Sequence, residues 1–144
     1  MAVIMTSFDK TADPTNIYQI WFARGAALAN SGHYREALAN LDKAVTIRED
    51  DPSSWVLRAV VLVHLERYSE ALSSCEKALE LDSKHQEAWL IRGAALHYLG
   101  RYQQSYTSYN KALGINRQSW WQRITQTWYK LRGIQDPDKM NKVA

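Results

Sequence analysis

The sequence contains one cysteine among 144 residues, Cys75, which excludes an internal disulfide. It also lacks a long apolar run, because residues 55–65 are interrupted by Arg58 and His64 and are too short to cross a bilayer. Residues 1–10 have neither the basic start nor the apolar length of a secretory signal. These absences predict a cytoplasmic protein that does not span a membrane.

Over most of the chain, positive and negative charges nearly balance. The net charge is +3, but from Arg117 onward six Lys and Arg stand against two Asp, so this end carries +4 and the rest carries −1. The basic end also holds Trp121 and Tyr129, and aromatic rings beside positive charge can bind nucleic acid. A basic end is more often simply solvated, which makes nucleic acid a disfavoured partner. Trp121 and Tyr129 remain a candidate secondary surface.

The chain is rich in internal repetition, with a period of 34 residues. Trp21, Trp55 and Trp89 are each separated by 34 positions, and four further columns keep the same register. Five columns repeated in three copies exclude a chance periodicity. The further columns are Arg24, Arg58 and Arg92; Leu28, Leu62 and Leu96; Tyr34, Tyr68 and Tyr102; and the Lys-Ala pairs at 43–44, 77–78 and 111–112.

This 34-residue unit resembles the tetratricopeptide repeat (TPR), whose pattern is W-x2-L-G-x2-Y…A-x3-F. The first copy departs from it by having Arg where Leu is usual and Leu where Tyr is usual, and Ala59 replaces Gly in the second copy. The resemblance covers roughly residues 16–117 and implies an all-α, right-handed α-solenoid of antiparallel helix pairs, the TPR superhelix, with about seven helices. The matching positions in the first copy are Trp21, Arg24, Gly25, Leu28, Ala37 and Leu41.

Local signals place the helices and the domain boundaries. Asp13-Pro14 and Asp51-Pro52 read as helix starts, and Gly32 and Gly100 suit the left-handed residue that ends a helix. Glu66 stands at the equivalent place in the second copy, so that turn is predicted to be strained or differently wound. The predicted helices are 15–30, 34–48, 52–65, 68–81, 85–99, 102–115 and 118–132.

The predicted organisation has three parts. Residues 1–12 form a flexible arm, residues 13–133 the TPR domain, and residues 134–144 a loose tail. The repeats span about 18–51, 52–85 and 86–117, and a capping helix spans 118–133. Its apolar side, with Ile124 and Trp128, is expected to cover the third repeat near Tyr106, Tyr109 and Leu113.

Each first helix of a repeat has a packing side and an opposite side. The repeated arginines flank the packing side, where we expect packed stems and pairing with carboxylates. In TPR proteins the opposite side lines a concave groove that receives partner peptides. Neighbouring helices can bury these residues, or a partner helix, a second copy or the N-terminal arm can cover them. The resemblance implies the groove residues Gln19, Phe22, Ala26, Val56, Leu57, Val60, Glu87, Leu90, Ile91, Ala94 and Tyr98.

Nothing in the sequence favours catalysis, a cofactor or a metal. Cys75 occupies a helix column filled by Leu41 and Tyr109 in the other copies, which predicts a buried, inert thiol. His64 and His97 lie on neighbouring groove walls without a nearby cysteine, a weak case for a metal site. No phosphate-binding glycine loop and no Ser-His-Asp set is present.

The predicted function is therefore a non-enzymatic interaction module or adapter that binds an apolar helical or extended segment of a partner in the groove. The alternative is a structural homo-oligomer built on the groove or on the C-terminal aromatic helix. TPR co-chaperones hold the acidic tails of heat-shock chaperones with Lys, Asn, Asn, Lys and Arg, and these side chains are missing here. The sequence thus predicts that such tails are not partners. The equivalent columns hold Phe22, Ala26, Leu57, Glu87 and Ile91.

Overall fold

The computed structural model describes residues 13–114, 117–133 and 135, and of residues 117–121 it describes the backbone alone. This part of the chain forms seven α-helices and no β-strand. The predicted all-α fold is confirmed, with helix bounds close to those expected. The helices are α1 (Pro14–Asn30), α2 (Tyr34–Ile47), α3 (Pro52–His64), α4 (Tyr68–Leu81), α5 (Gln86–Tyr98), α6 (Tyr102–Ala112) and α7 (Arg117–Arg132).

The first helices of the repeats begin at capped positions. The Asp13 carboxylate accepts from the backbone N–H of Thr15 at 3.1 Å, and Asp51 accepts from Ser53 at 3.0 Å. Proline follows both aspartates, where a missing N–H costs nothing. At α5 the His85 ring accepts from the N–H of Ala88 at 3.3 Å. Local chemistry therefore sets the start of each repeat.

The helices pair as α1–α2, α3–α4 and α5–α6, and successive pairs stack through α2 on α3 and α4 on α5. A single apolar core runs through the three repeats, because each pair buries its face against the next one. The first helices also contact one another, α1 with α3 and α3 with α5. The buried core residues are Ala37, Leu38, Leu41, Val61, Leu62, Ala71, Leu72, Ala95 and Leu96.

Side-chain sizes are matched where the two helices of a repeat cross. A Cβ added to Gly25 would lie 2.8 Å from Leu41 Cγ, and one added to Gly93 would lie 2.6 Å from Tyr109 Cε1. The second repeat has Ala59 and the smaller Cys75 at these positions, both fully buried. Burial raises the pKa of the Cys75 thiol to about 12, so this residue is the inert, buried cysteine that the sequence predicts.

The turns inside the three repeats are wound alike. Gly32, Glu66 and Gly100 have φ of 83°, 59° and 76°, all in the left-handed region. The next residue donates to the carbonyl five residues earlier, for example Arg67 N–H to Leu62 O at 2.9 Å. Glu66 therefore adopts the glycine conformation with a side chain, which confirms the predicted strain and excludes a differently wound turn.

Glu66→Gly is expected to raise the free energy of unfolding by about 0.5–1 kcal/mol. A non-glycine residue in the left-handed region costs about 1–2 kcal/mol, and the greater backbone entropy of unfolded glycine offsets part of the gain. Chemical denaturation of the variant and the parent measures the change. Ser73→Gly, at an exposed position inside α4, is the matched control and should lose about 0.5 kcal/mol. A Glu66→Gly protein less stable than the parent would contradict the strain.

The last helix is present where predicted, but the expected cover of the third repeat is not formed. Tyr106 and Leu113 are 63% and 70% exposed, whereas the residues equivalent to Tyr106, Leu38 and Leu72, are 7% and 8% exposed. Ile124, Trp128 and Leu131 of α7 are exposed as well. The physical reason lies in α6, which has 11 residues where α2 and α4 have 14. Gly114, with φ of 67°, ends it early, so α7 begins in a different register.

Several predictions fall outside the described residues. These are the flexible arm 1–12, the tail 134–144 except for position 135, and the side chains of Trp120 and Trp121. The proposed domain boundaries remain predictions.

Candidate functional site

The side of α1, α3 and α5 that faces away from the packing side carries a continuous apolar surface. We call it the groove face and define it by residues that remain at least partly accessible. Leu90 is the most open of them, with 48% of its surface exposed. Gln19, Glu87 and Tyr98, also predicted for the groove, are exposed around it. The groove face comprises Phe22, Ala26, Leu57, Val60, Leu90, Ile91 and Ala94.

One predicted groove residue is not available to a partner. Val56 is only 3% exposed and belongs to a small buried cluster with Ala78 and Ala88. The equivalent residues Phe22 and Leu90 are half-buried and exposed. Val56 loses its exposure because α4 and α5 cover it through Ala78 and Ala88. A role of Phe22 and Leu90 in a partner-binding groove stays a prediction.

The floor of the groove face is continuous with the core. Phe22 and Leu57 pack against the buried core cluster while keeping part of their surface open. The Phe22 ring stacks on Tyr18 with centroids 5.9 Å apart. The Tyr18 hydroxyl donates to the Asp51 carboxylate and lies 2.7 Å from Ser54 Oγ. Burial and this bond raise the pKa of Tyr18. Because the ring is buried and its hydroxyl is hydrogen-bonded to both partners, Tyr18 supports Phe22.

A row of stacked rings borders the groove face at the turn end of the repeats. Tyr34 stacks on His64 at 4.3 Å, and Tyr68 stacks on Tyr98 at 4.7 Å, each pair joining one repeat to the next. His97 lies edge-on to Tyr98 at 5.9 Å. Sequence reasoning missed these pairs, although the 34-residue spacing of both members was a usable signal.

The histidines considered for a metal are thus engaged in ring contacts. Among the described residues no group of three or more His, Cys, Asp or Glu side chains is placed to hold a metal ion. The groove set holds one charged residue, Glu87. The groove face itself offers only apolar surface to a ligand.

Two of the three repeated arginines, Arg58 and Arg92, lie between helices and pair with carboxylates as predicted, whereas the prediction is wrong for Arg24, which is exposed. Arg58 Nε is 2.7 Å from Asp42 Oδ1, and its Nη1 donates to Ser74 Oγ at 2.6 Å. In the next repeat Arg92 Nη1 donates to Ser108 Oγ at 2.7 Å, and Nη2 lies 3.9 Å from the Glu76 carboxylate. These contacts join α3 to α2 and α5 to α4, so both arginines have a structural role.

The candidate secondary surface on α7 is described only in part. Tyr129 is half-buried and packs edge-on against Trp128 with centroids 5.5 Å apart. The Arg132 guanidinium lies 4.5 Å from the Trp128 ring centroid. The Trp121 side chain lies outside the described residues. In the part of the chain that the structure describes, no helix is long and apolar enough to cross a membrane.

The 34-residue period, the stacked helix pairs and the groove face define a TPR solenoid, a class of protein-interaction domain. The chain belongs to the family described as anaphase-promoting complex, cyclosome, subunit 3, whose model matches residues 30–112. This range is more than half of the chain. None of the curated proteins matches the chain significantly.

Solved TPR domains share the fold. The TPR domain of Arabidopsis OM64 has a TM-score of 0.70 and 23% identity, over 74% of this chain and 88% of that one. The second TPR of Spaghetti (RPAP3) bound to the HSP90 peptide SRMEEVD has a TM-score of 0.67 and 21% identity, over 72% and 97%. The second TPR domain of human RPAP3 in complex with the HSP70 peptide SGPTIEEVD has a TM-score of 0.68 and 21% identity, over 73% of this chain and 88% of that one.

These neighbours correct one prediction. The exclusion of heat-shock chaperone tails as partners is wrong, because RPAP3 domains of this fold are solved with HSP90 and HSP70 peptides that end in EEVD. The exclusion was based on the absence of a single set of clamp residues. Missing side chains at five columns do not describe everything that a groove of this fold can use to hold a peptide.

Proposed function

We propose that the groove face binds an apolar helical or extended segment of a partner protein, and that this binding is the function of the chain. The observation that carries the proposal is Leu90, which is 48% exposed beside Ile91 and Ala94 on an apolar surface with one charged residue, Glu87, at its border. Burying the exposed half of this leucine in an interface stabilises the complex by about 1–1.5 kcal/mol.

The architecture supports selection of a segment with regular spacing. Three parallel first helices present equivalent residues at each repeat, as in Ala26, Val60 and Ala94. Small and medium side chains there leave room for a helix or strand to lie across the repeats. The stacked Tyr68 and Tyr98 rings fix one border, and Tyr98 keeps an exposed edge for contact.

We propose that the protein acts as an adapter, by binding and not by catalysis. TPR domains are generally non-catalytic interaction modules, and the one cysteine of this chain is buried with a raised pKa. The cytoplasmic setting remains part of the proposal, since a single buried thiol suits a reducing compartment.

Selection from a random peptide library displayed on phage tests the chemistry of the partner. The immobilised full chain is expected to enrich peptides with two or three apolar residues at helical or strand spacing. The Leu90→Asp chain, selected in parallel, should not enrich them. Synthetic versions of the enriched peptides are then titrated against both proteins by calorimetry.

The same titrations include the two chaperone peptides, SRMEEVD and SGPTIEEVD, because domains of this fold bind them. Enrichment of acidic sequences instead of apolar ones would overturn the apolar proposal while keeping the groove as the site. Equal enrichment by the parent and Leu90→Asp would show that the site lies elsewhere. A groove already occupied by a second copy would be seen in light scattering as self-association that Val60→Asp removes.

A further inference from the structure

The two ends of the solenoid expose faces that are buried between its repeats. At the C-terminal end, Tyr106 and Leu113 are open, although their equivalents in α2 and α4 pack against the following helix. At the N-terminal end, Ile20 of α1 is 46% exposed, whereas the equivalent Ser54 and Ala88 are fully buried. The residues of each open face stand at the repeat positions that are buried at the two contacts between successive repeats, α2 with α3 and α4 with α5.

Within the described ranges, the ion pair that joins one repeat to the next also lacks one partner at each end of the solenoid. Inside the chain, Arg58 pairs with Asp42 and Arg92 pairs with Glu76, each bond crossing from one repeat to the next. Arg24, the equivalent arginine of α1, is exposed and has no carboxylate partner among the described residues. Asn110 of α6 occupies the column of the two carboxylates.

A buried side-chain oxygen of the first repeat also lacks a hydrogen-bond donor among the residues described. The Asn40 Oδ1 atom is buried without a hydrogen-bond partner, whereas the equivalent Ser74 and Ser108 accept from the repeated arginines. A buried acceptor without a donor is unfavourable, and Arg24 is the side chain that would supply the donor by analogy with the other repeats.

From these observations we infer that the protein assembles head to tail, with α6 of one copy packed on α1 of the next. The interface repeats the packing of α2 on α3 and of α4 on α5, with Leu90, Ala112 and Leu113 against Ile20 of the next copy, in the columns where Val56, Ala78 and Leu79 pack with Ala88. Tyr106 lies on the same α6 face, in the column of Leu38 and Leu72, and Asn110 accepts from Arg24. The second copy is the occupant because this chain carries both halves of the interface. Each added copy presents a new open end, so the assembly is an open chain.

The interface joins two different faces, so each face can be blocked separately in the full chain. Ile20→Asp blocks the α1 face and Tyr106→Asp blocks the α6 face, so each variant alone should sediment as a monomer at concentrations where the parent associates. An equimolar mixture should form dimers and nothing larger, because one intact face of each kind remains. Both positions are exposed, and circular dichroism melting confirms that the variants fold.

A second variant tests the polar contact. Asn110→Asp supplies the carboxylate that Arg58 and Arg92 already have, and it is expected to tighten association about fivefold to tenfold, since charge-assisted hydrogen bonds are roughly twice as strong as neutral ones. Adding Arg24→Asp should remove this gain.

Four results would overturn the inference. The parent and Asn110→Asp could both remain monomeric over the whole concentration series. The mixture of blocked variants could form no dimer. Association lost only with Trp128→Asp would assign the contact to α7, and association lost only with Val60→Asp, on the groove face of the central helix, would assign it to the groove face. The inference does not depend on the proposed peptide binding, because Ile20, Tyr106 and Asn110 lie outside the groove face.

Discussion

Ala95→Asp is expected to unfold the domain, whereas Leu90→Asp, five residues earlier on the same helix, is expected to leave it folded. Ala95 is fully buried in the core cluster that joins the second and third repeats. An unpaired carboxylate there costs at least about 3–5 kcal/mol, a large share of the about 5–15 kcal/mol that stabilises a domain of this kind. At position 90 the carboxylate reaches water, so the melting temperature should change little.

Peptide binding is expected to distinguish the groove face from the core as well. Leu90→Asp is expected to weaken binding of a selected apolar peptide by at least about 100-fold, because the interface loses a buried leucine and gains a carboxylate that must be desolvated. Leu90→Ala is the graded control and should lose about tenfold. Melting curves and calorimetric titrations measure both effects. A Leu90→Asp protein that unfolds like Ala95→Asp would show that this side of α5 serves only the fold.

The second large effect is expected where α5 crosses α6. Gly93→Ala places a methyl group against the Tyr109 ring, and the overpacking is expected to cost about 1–3 kcal/mol despite the better helix propensity of alanine. Tyr109→Cys alone removes a packed ring and should also cost about 2–3 kcal/mol.

The double variant Gly93→Ala with Tyr109→Cys copies the pair Ala59 and Cys75 of the second repeat. It is expected to be more stable than the sum of the single changes predicts by about 1–3 kcal/mol, since the smaller partner makes room for the methyl group. Denaturant unfolding of the four proteins gives the coupling energy. Additive losses would mean that the two positions do not constrain one another and that the size matching between repeats has no energetic role.

The fold could be predicted because its signals are local and repeated. Asp-Pro at 13–14 and 51–52 begins helices through bonds to residues two positions away, and Gly32 and Gly100 end them through their own φ. Such contacts depend on the neighbouring sequence alone. The 34-residue register then placed every helix within a few residues.

Site residues were harder to predict because one column can have three environments. Phe22, Val56 and Leu90 occupy the same position of successive repeats, yet they are half-buried, 3% exposed and 48% exposed. Helix periodicity gives the direction of a side chain relative to its own helix. Its exposure depends on whether another helix lies beside it, which only the stacking of α1, α3 and α5 shows.

The C-terminal helix shows the same division. Its existence and its apolar side follow from the spacing of Ile124, Trp128 and Leu131 along the chain. Its failure to cover Tyr106 and Leu113 follows from the early end of α6 before Gly114, since α7 then begins in a register different from that of α3 and α5.

Which residues form helices, and which residues of each helix share a side, was thus contained in the chain's own periodicity, because backbone hydrogen bonds and caps act over a few positions. Which sides are covered, which arginine has a carboxylate and which faces remain open were decided by tertiary packing. Arg24, Arg58 and Arg92 are chemically identical, and the last two are paired because a preceding repeat places Asp42 or Glu76 beside them. Among the described residues no carboxylate lies beside Arg24, and the same residue type in the same column is exposed.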